Sequence, residues 1–83
     1  MDTMMDKIEA VAWSSDGIME LVDWKDGKVR EYAYFGITRD MYDKINRLGR
    51  RGQRGLIYKV LKGFSRIDKA DMLRDQRKKG IIL

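Results

Sequence analysis

Asp26-Gly27 constrains the fold of this chain more than any other pair of residues in it. A two-residue type I′ turn needs positive φ at both central positions, and Asp followed by Gly tolerates that well. Folding the chain there sets Lys25 opposite Lys28, Trp24 opposite Val29, Asp23 opposite Arg30, Leu21 opposite Tyr32 and Met19 opposite Tyr34. Alternation then places Met19, Leu21, Tyr32 and Tyr34 on one face, with the opposite charges of Asp23 and Arg30 at its edge. The other face carries Ile18, Val22, Trp24, Val29 and Phe35 together with Glu20 and Glu31. Both faces are therefore expected to be partly covered, and a bulge would shift the parity. The two hairpin strands span about 18–24 and about 29–35. A further strand, about 8–14, is indicated by Val11 and Trp13 on one parity before the turn-forming Ser14, Ser15, Asp16 and Gly17.

Helical signals follow the hairpin. Thr38 is a candidate N-cap, Asp40 sits in the first turn, and Met41, Tyr42, Ile45 and Leu48 recur at helical spacing. Ile37 and Tyr42 occupy staple positions and Gly49 is placed to terminate, which predicts a helix over about 39–48. Residues 49–55 then alternate glycine with arginine, which lowers helix propensity and is expected to leave the guanidinium groups on a flexible loop. Leu56, Val60 and Phe64, with Ile57 and Leu61 beside them, predict an amphipathic helix over about 54–64 whose free face is Lys59, Lys62 and Arg66. Asp68 as N-cap, Asp71 at N3 and Ile67 with Met72 as staple predict a last helix over about 69–79, ending in Arg77, Lys78 and Lys79. Its apolar set, Ala70, Met72 and Leu73, is sparse, so it docks weakly or awaits a partner. The expected fold is α+β: one small antiparallel hairpin or meander sheet packed against two to three helices, in a single domain over 1–83.

Composition narrows the chemistry. Eighty-three residues, 43% hydrophobic and 37% charged, suit one small core and are too apolar for obligate disorder. The chain has neither cysteine nor histidine. That excludes disulfides, the common zinc sites and Ser-His-Asp triads, and leaves catalysis to carboxylates, Lys or Tyr. Asp68, Asp71 and Asp75 are better explained by capping and by i, i+3 and i+4 pairs with Arg74, Lys78 and Lys79 than by a metal. Ser14 and Ser15 have no histidine partner and read as a turn. The expectation is a non-enzymatic protein with no cofactor and no metal. No stretch reaches the roughly 18 to 20 apolar residues of a membrane helix, and the acidic N-terminus lacks the basic region of a signal peptide, so a cytoplasmic location is expected.

Charge is divided along the chain. Residues 1–43 hold 5 Lys or Arg against 10 Asp or Glu, and residues 44–83 hold 13 against 3. Between Lys44 and Arg66 there are eight cations and no acid. Such a block focuses positive potential and suits phosphate-backbone contact, since release of condensed counterions drives binding whatever the sequence. Arg47, Arg50, Arg51, Arg54, Lys59, Lys62 and Arg66 are the candidate contacts to RNA or single-stranded DNA, the arginines as bidentate forks and the glycines permitting close approach. Most of the aromatics are needed for the core; Trp24 and Tyr34 are the candidates for an exposed base-stacking surface. The alternative reading is a protein-interaction or inhibitor protein, whose acidic half (Asp16, Glu20, Asp23, Asp26, Glu31 and Asp43) engages a basic channel on a host or defence complex.

Val11-Ala12-Trp13-Ser14-Ser15, the hairpin Trp24-Lys25-Asp26-Gly27, the run Tyr32-Ala33-Tyr34-Phe35-Gly36-Ile37, then Tyr42 and a helix ending at Phe64 together resemble the KTSC domain. This small module is common in phage and bacterial proteins and occurs at the C-terminus of some lysyl-tRNA synthetases. The resemblance spans about 11–64 and rests on order and spacing. It departs from the family at Thr38, where proline is usual, in a hairpin two residues longer, and at residues 49–55, which replace a Ser-x-Gly segment. It implies a link to nucleic acid or translation and no established activity.

Overall fold

A computed structural model describes residues 6–70. Four strands, β1 (Lys7–Trp13), β2 (Met19–Lys25), β3 (Lys28–Tyr34) and β4 (Arg66–Asp68), form one sheet in the order β1-β2-β3-β4 with every neighbour antiparallel. Two helices, α1 (Arg39–Arg50) and α2 (Arg54–Leu61), stand between β3 and β4 in the chain.

The hairpin forms in the expected register, from Lys25 opposite Lys28 to Met19 opposite Tyr34. Asp26 and Gly27 adopt φ of 55° and 76°, as the turn requires. Its inward face is the core: Met19, Leu21, Tyr32 and Tyr34 are buried together with Ile8, Ala10, Ile37, Ile45, Ile57 and Leu61. Ser14 and Gly17 close the preceding turn, the Gly17 N–H donating to the Ser14 carbonyl at 2.9 Å.

The first strand corrects the expected parity. Ala10 pairs with Leu21 and Ala12 with Glu20, so Val11 is an extra residue with no partner. This bulge reverses the alternation: Ile8 and Ala10 point into the core before it and Trp13 packs against the core after it, leaving Val11 exposed. Trp13 then donates its indole N–H to the Ile37 carbonyl at 2.8 Å and stacks on Tyr42, which ties β1 to the start of α1.

Thr38 caps α1, its hydroxyl accepting from the Met41 N–H at 3.1 Å. The helix does not stop at Gly49. It continues to Arg50, because Gly49 serves a different purpose: a Cβ there would lie 2.7 Å from the Ile8 carbonyl oxygen. Only glycine lets α1 approach the backbone of β1 this closely. The expected loop over 49–55 is accordingly reduced to residues 51–53, with Gly52 at φ 69° in the turn. The second helix ends at Leu61, three residues earlier than expected, since Lys62 is extended and Gly63 takes φ 97°.

The chain then adds β4, which the sequence reading did not foresee. Three residues are too few to show an alternating pattern, and the strand owes its existence to the open edge of β3. Ala33 pairs with Ile67, and the Phe35 N–H donates to the Ser65 carbonyl at 3.0 Å. Asp68 accepts from the Ala70 N–H at 2.9 Å, as an N-cap does. The remainder of the helix expected over 69–79 lies outside the described residues, and with it Asp71 and Asp75. Among the described residues the two helices cover one face of the sheet; on the other, Val22, Trp24 and Ala33 are half-buried without them.

Candidate nucleic-acid interface

The cations singled out in the sequence separate into two groups. Arg47 and Arg50 lie on the last turns of α1, Arg51 opens the interhelical turn, Lys59 lies on α2 and Lys62 follows it. All five are exposed, as is Lys44 one turn before Arg47. Among the described residues, no ion pair engages any of these six. Lys44, Arg47 and Arg51 follow one another at spacings of three and four, which places them on one side of α1 and its exit. The three-residue turn brings α2 back beside α1, so Lys59 and Lys62 belong to the same helical layer. This layer lies on the far side of the core from the uncovered sheet face.

Arg54 belongs to the second group, engaged within the fold instead of free on the expected loop. As the first residue of α2 it points inward, where its Nε donates to Oδ1 of Asp23 at 3.0 Å and a terminal nitrogen donates to the same oxygen. That nitrogen also donates to the carbonyls of Trp24 at 2.9 Å and Lys7 at 3.2 Å. Tyr58, one turn along α2, donates its hydroxyl to Oδ2 of Asp23 at 2.6 Å. These hydrogen bonds tie α2 to β1 and β2. Asp23 is 7% exposed. Burial alone would push its carboxyl pKa up, but the hydrogen bonds from Arg54 and Tyr58 and the charges of Arg54 and Arg30 hold it below the ordinary 3.8. The same environment pushes the Tyr58 hydroxyl well above its usual range, through burial first and then the bond to the Asp23 carboxylate.

Arg66 is likewise occupied, though exposed at the edge of the sheet. Its guanidinium lies 4.4 Å from the centre of the Tyr32 ring and donates to the Tyr34 hydroxyl at 3.0 Å. It borders a shallow cavity of about 300 Å³ with Tyr34, Tyr58, Lys62 and Phe64.

The stacking candidates do not form a platform beside the cations. Tyr34 is 2% exposed and belongs to the core, because it pairs with Met19 on the helix-covered face. Trp24 is half-buried on the opposite face, with the Lys7 ammonium 4.5 Å from its ring centre. The acidic half is equally divided. Asp23 is consumed by Arg54, Glu20 and Glu31 meet Lys69, and Asp43 faces Arg39 at 3.5 Å.

No protein-family model matches the chain, and neither the curated proteins nor the solved structures contain a match to it.

No group of three acidic, His or Cys side chains able to hold a metal is formed among the described residues, and no helix there is long and apolar enough to cross a membrane. The buried pair of Asp23 with Arg54 is the feature that sequence reasoning missed. Its signal was present: the hairpin register puts Asp23 on the core side, and a buried carboxylate needs a cation and further donors. Arg30, directly opposite in the sheet, looked sufficient. It is exposed, and the partner comes instead from 31 positions away.

Proposed function

We propose that this protein is a non-catalytic module that binds the phosphate backbone of nucleic acid, RNA or single-stranded DNA among its targets, through Lys44, Arg47, Arg50, Arg51, Lys59 and Lys62. The observation that carries the reading is the contrast between these six exposed cations, which meet no carboxylate among the described residues, and Arg54, which is neutralised inside the fold. Cations that meet no carboxylate among the described residues, on and beside two neighbouring helices, raise local positive potential, and a polyanion that contacts them releases its condensed counterions. The KTSC resemblance and its implied link to nucleic acid support the same reading. With Tyr34 buried and Trp24 on the far face, affinity arises from phosphate contact and carries weak sequence preference.

Titration of fluorescent single-stranded RNA and DNA and of duplex DNA at increasing salt tests this. If about five phosphates are neutralised, log K falls against log salt with a slope of about −3.5 on single strands and about −4.5 on duplex. A flat salt dependence would exclude the reading. Nuclease treatment of a lysate before pull-down gives a second measure: partners held by nucleic acid are lost, and a stoichiometric protein that survives supports the protein-interaction alternative.

A further inference from the structure

The face of the sheet turned away from α1 and α2 carries apolar residues interleaved with Glu20 and Glu31. Trp24 is opposite Val29, Val22 lies two residues along β2, and Ala33 is opposite Ile67 at the other end. Val29 is 56% exposed and Ile67 38%. Three carboxylates, Glu9, Glu20 and Glu31, lie on the same face by register, with the Lys7 ammonium 3.8 Å from Glu9 and that of Lys69 beside the other two.

We propose that this face is the docking surface for the chain's own C-terminal segment, residues 71–83. The chain leaves β4 on this side: Lys69 places its ammonium 2.6 Å from Glu20 and 3.9 Å from Glu31, reaching back across β3 to β2. The segment that follows has the complementary chemistry, with Arg74, Arg77, Lys78 and Lys79 set against two acids, and Met72, Leu73, Ile81, Ile82 and Leu83 as its apolar residues. Its reach is sufficient. Crossing from β4 to β1 takes three strand spacings, roughly 14 Å. Thirteen residues extend about 20 Å even when fully helical. Docking covers Val29 and Ile67 and brings the cations of the segment to a face where three carboxylates, Glu9, Glu20 and Glu31, outnumber the cations Lys7 and Lys69. The inference is independent of the nucleic-acid reading, because the helical layer with Arg47 and Arg51 is on the other side of the sheet.

The absence of cysteine from these 83 residues makes a direct test available in the intact chain. A nitroxide attached to Lys79→Cys should broaden the amide resonances of Val22, Trp24, Val29 and Glu31 most strongly and those of Arg47 and Lys59 least. Adding Ile81→Ser, Ile82→Ser and Leu83→Ser to the labelled chain, which leaves the sheet untouched, should reduce that broadening several-fold. Glu20→Lys with Glu31→Lys should do the same from the other side. Weak, uniform broadening, or broadening centred on α1 and α2, overturns the proposal. Mixing isotope-labelled, unmodified chain with spin-labelled chain of natural isotope content should give no broadening; if it does, the occupant is a second copy and the intramolecular assignment fails.

Discussion

Arg54 and Asp23, 31 residues apart in the chain, form a hydrogen-bonded ion pair beneath the first turn of α2, with Nε 3.0 Å from Oδ1. The Arg54 side chain is 23% exposed and that of Asp23 9%. Position in an arginine-rich stretch therefore does not imply availability. A cation aimed inward at a buried carboxylate contributes to folding and little to the field that a polyanion meets.

Arg54→Ala should accordingly act on stability. Removing one partner of a largely buried pair leaves Asp23 with an uncompensated charge, at a cost of about 2–4 kcal/mol given the residual exposure of the arginine. At roughly 4–8 °C per kcal/mol for a domain of this size, the fall in Tm should lie between about 8 and about 30 °C. Calorimetry or thermal circular dichroism measures it. The salt slope of nucleic-acid binding, recorded well below the new Tm, should stay as in the unsubstituted protein.

Arg47→Ala combined with Arg51→Ala should behave in the opposite way. Both side chains are exposed and meet no acid among the described residues, so Tm should change by no more than a few degrees. Two lost phosphate contacts should flatten the single-strand salt slope by about 1.4. Fluorescence anisotropy across a salt series reads this directly, and an unchanged slope would remove these residues from the interface.

The acid limb of the stability curve should belong in part to Asp23. Its folded pKa is depressed below 3.8, so its contribution is fully present above that value and is lost as pH falls through the lowered one. Between about pH 4 and pH 2 the native protein should lose stability more steeply than Asp23→Asn, which begins less stable at neutral pH and has no such proton to take up. Urea denaturation at stepped pH makes the comparison.

Two glycine substitutions should move stability in opposite directions. Gly49→Ala gains up to about 1 kcal/mol of helix propensity, yet its methyl meets the Ile8 carbonyl at 2.7 Å. The forced separation of α1 from β1 should give a net loss of about 1–3 kcal/mol. Gly55→Ala lies within α2 with nothing inside 4 Å of the new carbon, and should stabilise by about 0.5–1 kcal/mol. The denaturation midpoints of the two variants should fall on either side of the parent value.

The sequence by itself determined the features governed by neighbours in the chain. Asp26-Gly27 set the turn, and the turn set every pair from Lys25 with Lys28 to Met19 with Tyr34, because strand register propagates from a tight hairpin. Thr38 declared the start of α1 through a bond to a residue three positions on. Tertiary structure alone decided the rest. Gly49 reads as a helix terminator until β1 is seen beneath it, and β4 exists only because β3 offers an unpaired edge. Val11 and Trp13 do not share a face because a bulge, invisible in so short a pattern, shifts the alternation of β1 and turns Trp13 toward the core. Arg54 and Arg51 are alike to any local measure, and only the packing of α2 across the hairpin gives one of them a buried carboxylate and leaves the other in water. The reason is common to all four: local conformation depends on dihedral preferences within a few residues, whereas close approach, edge pairing and charge burial depend on what distant segments bring.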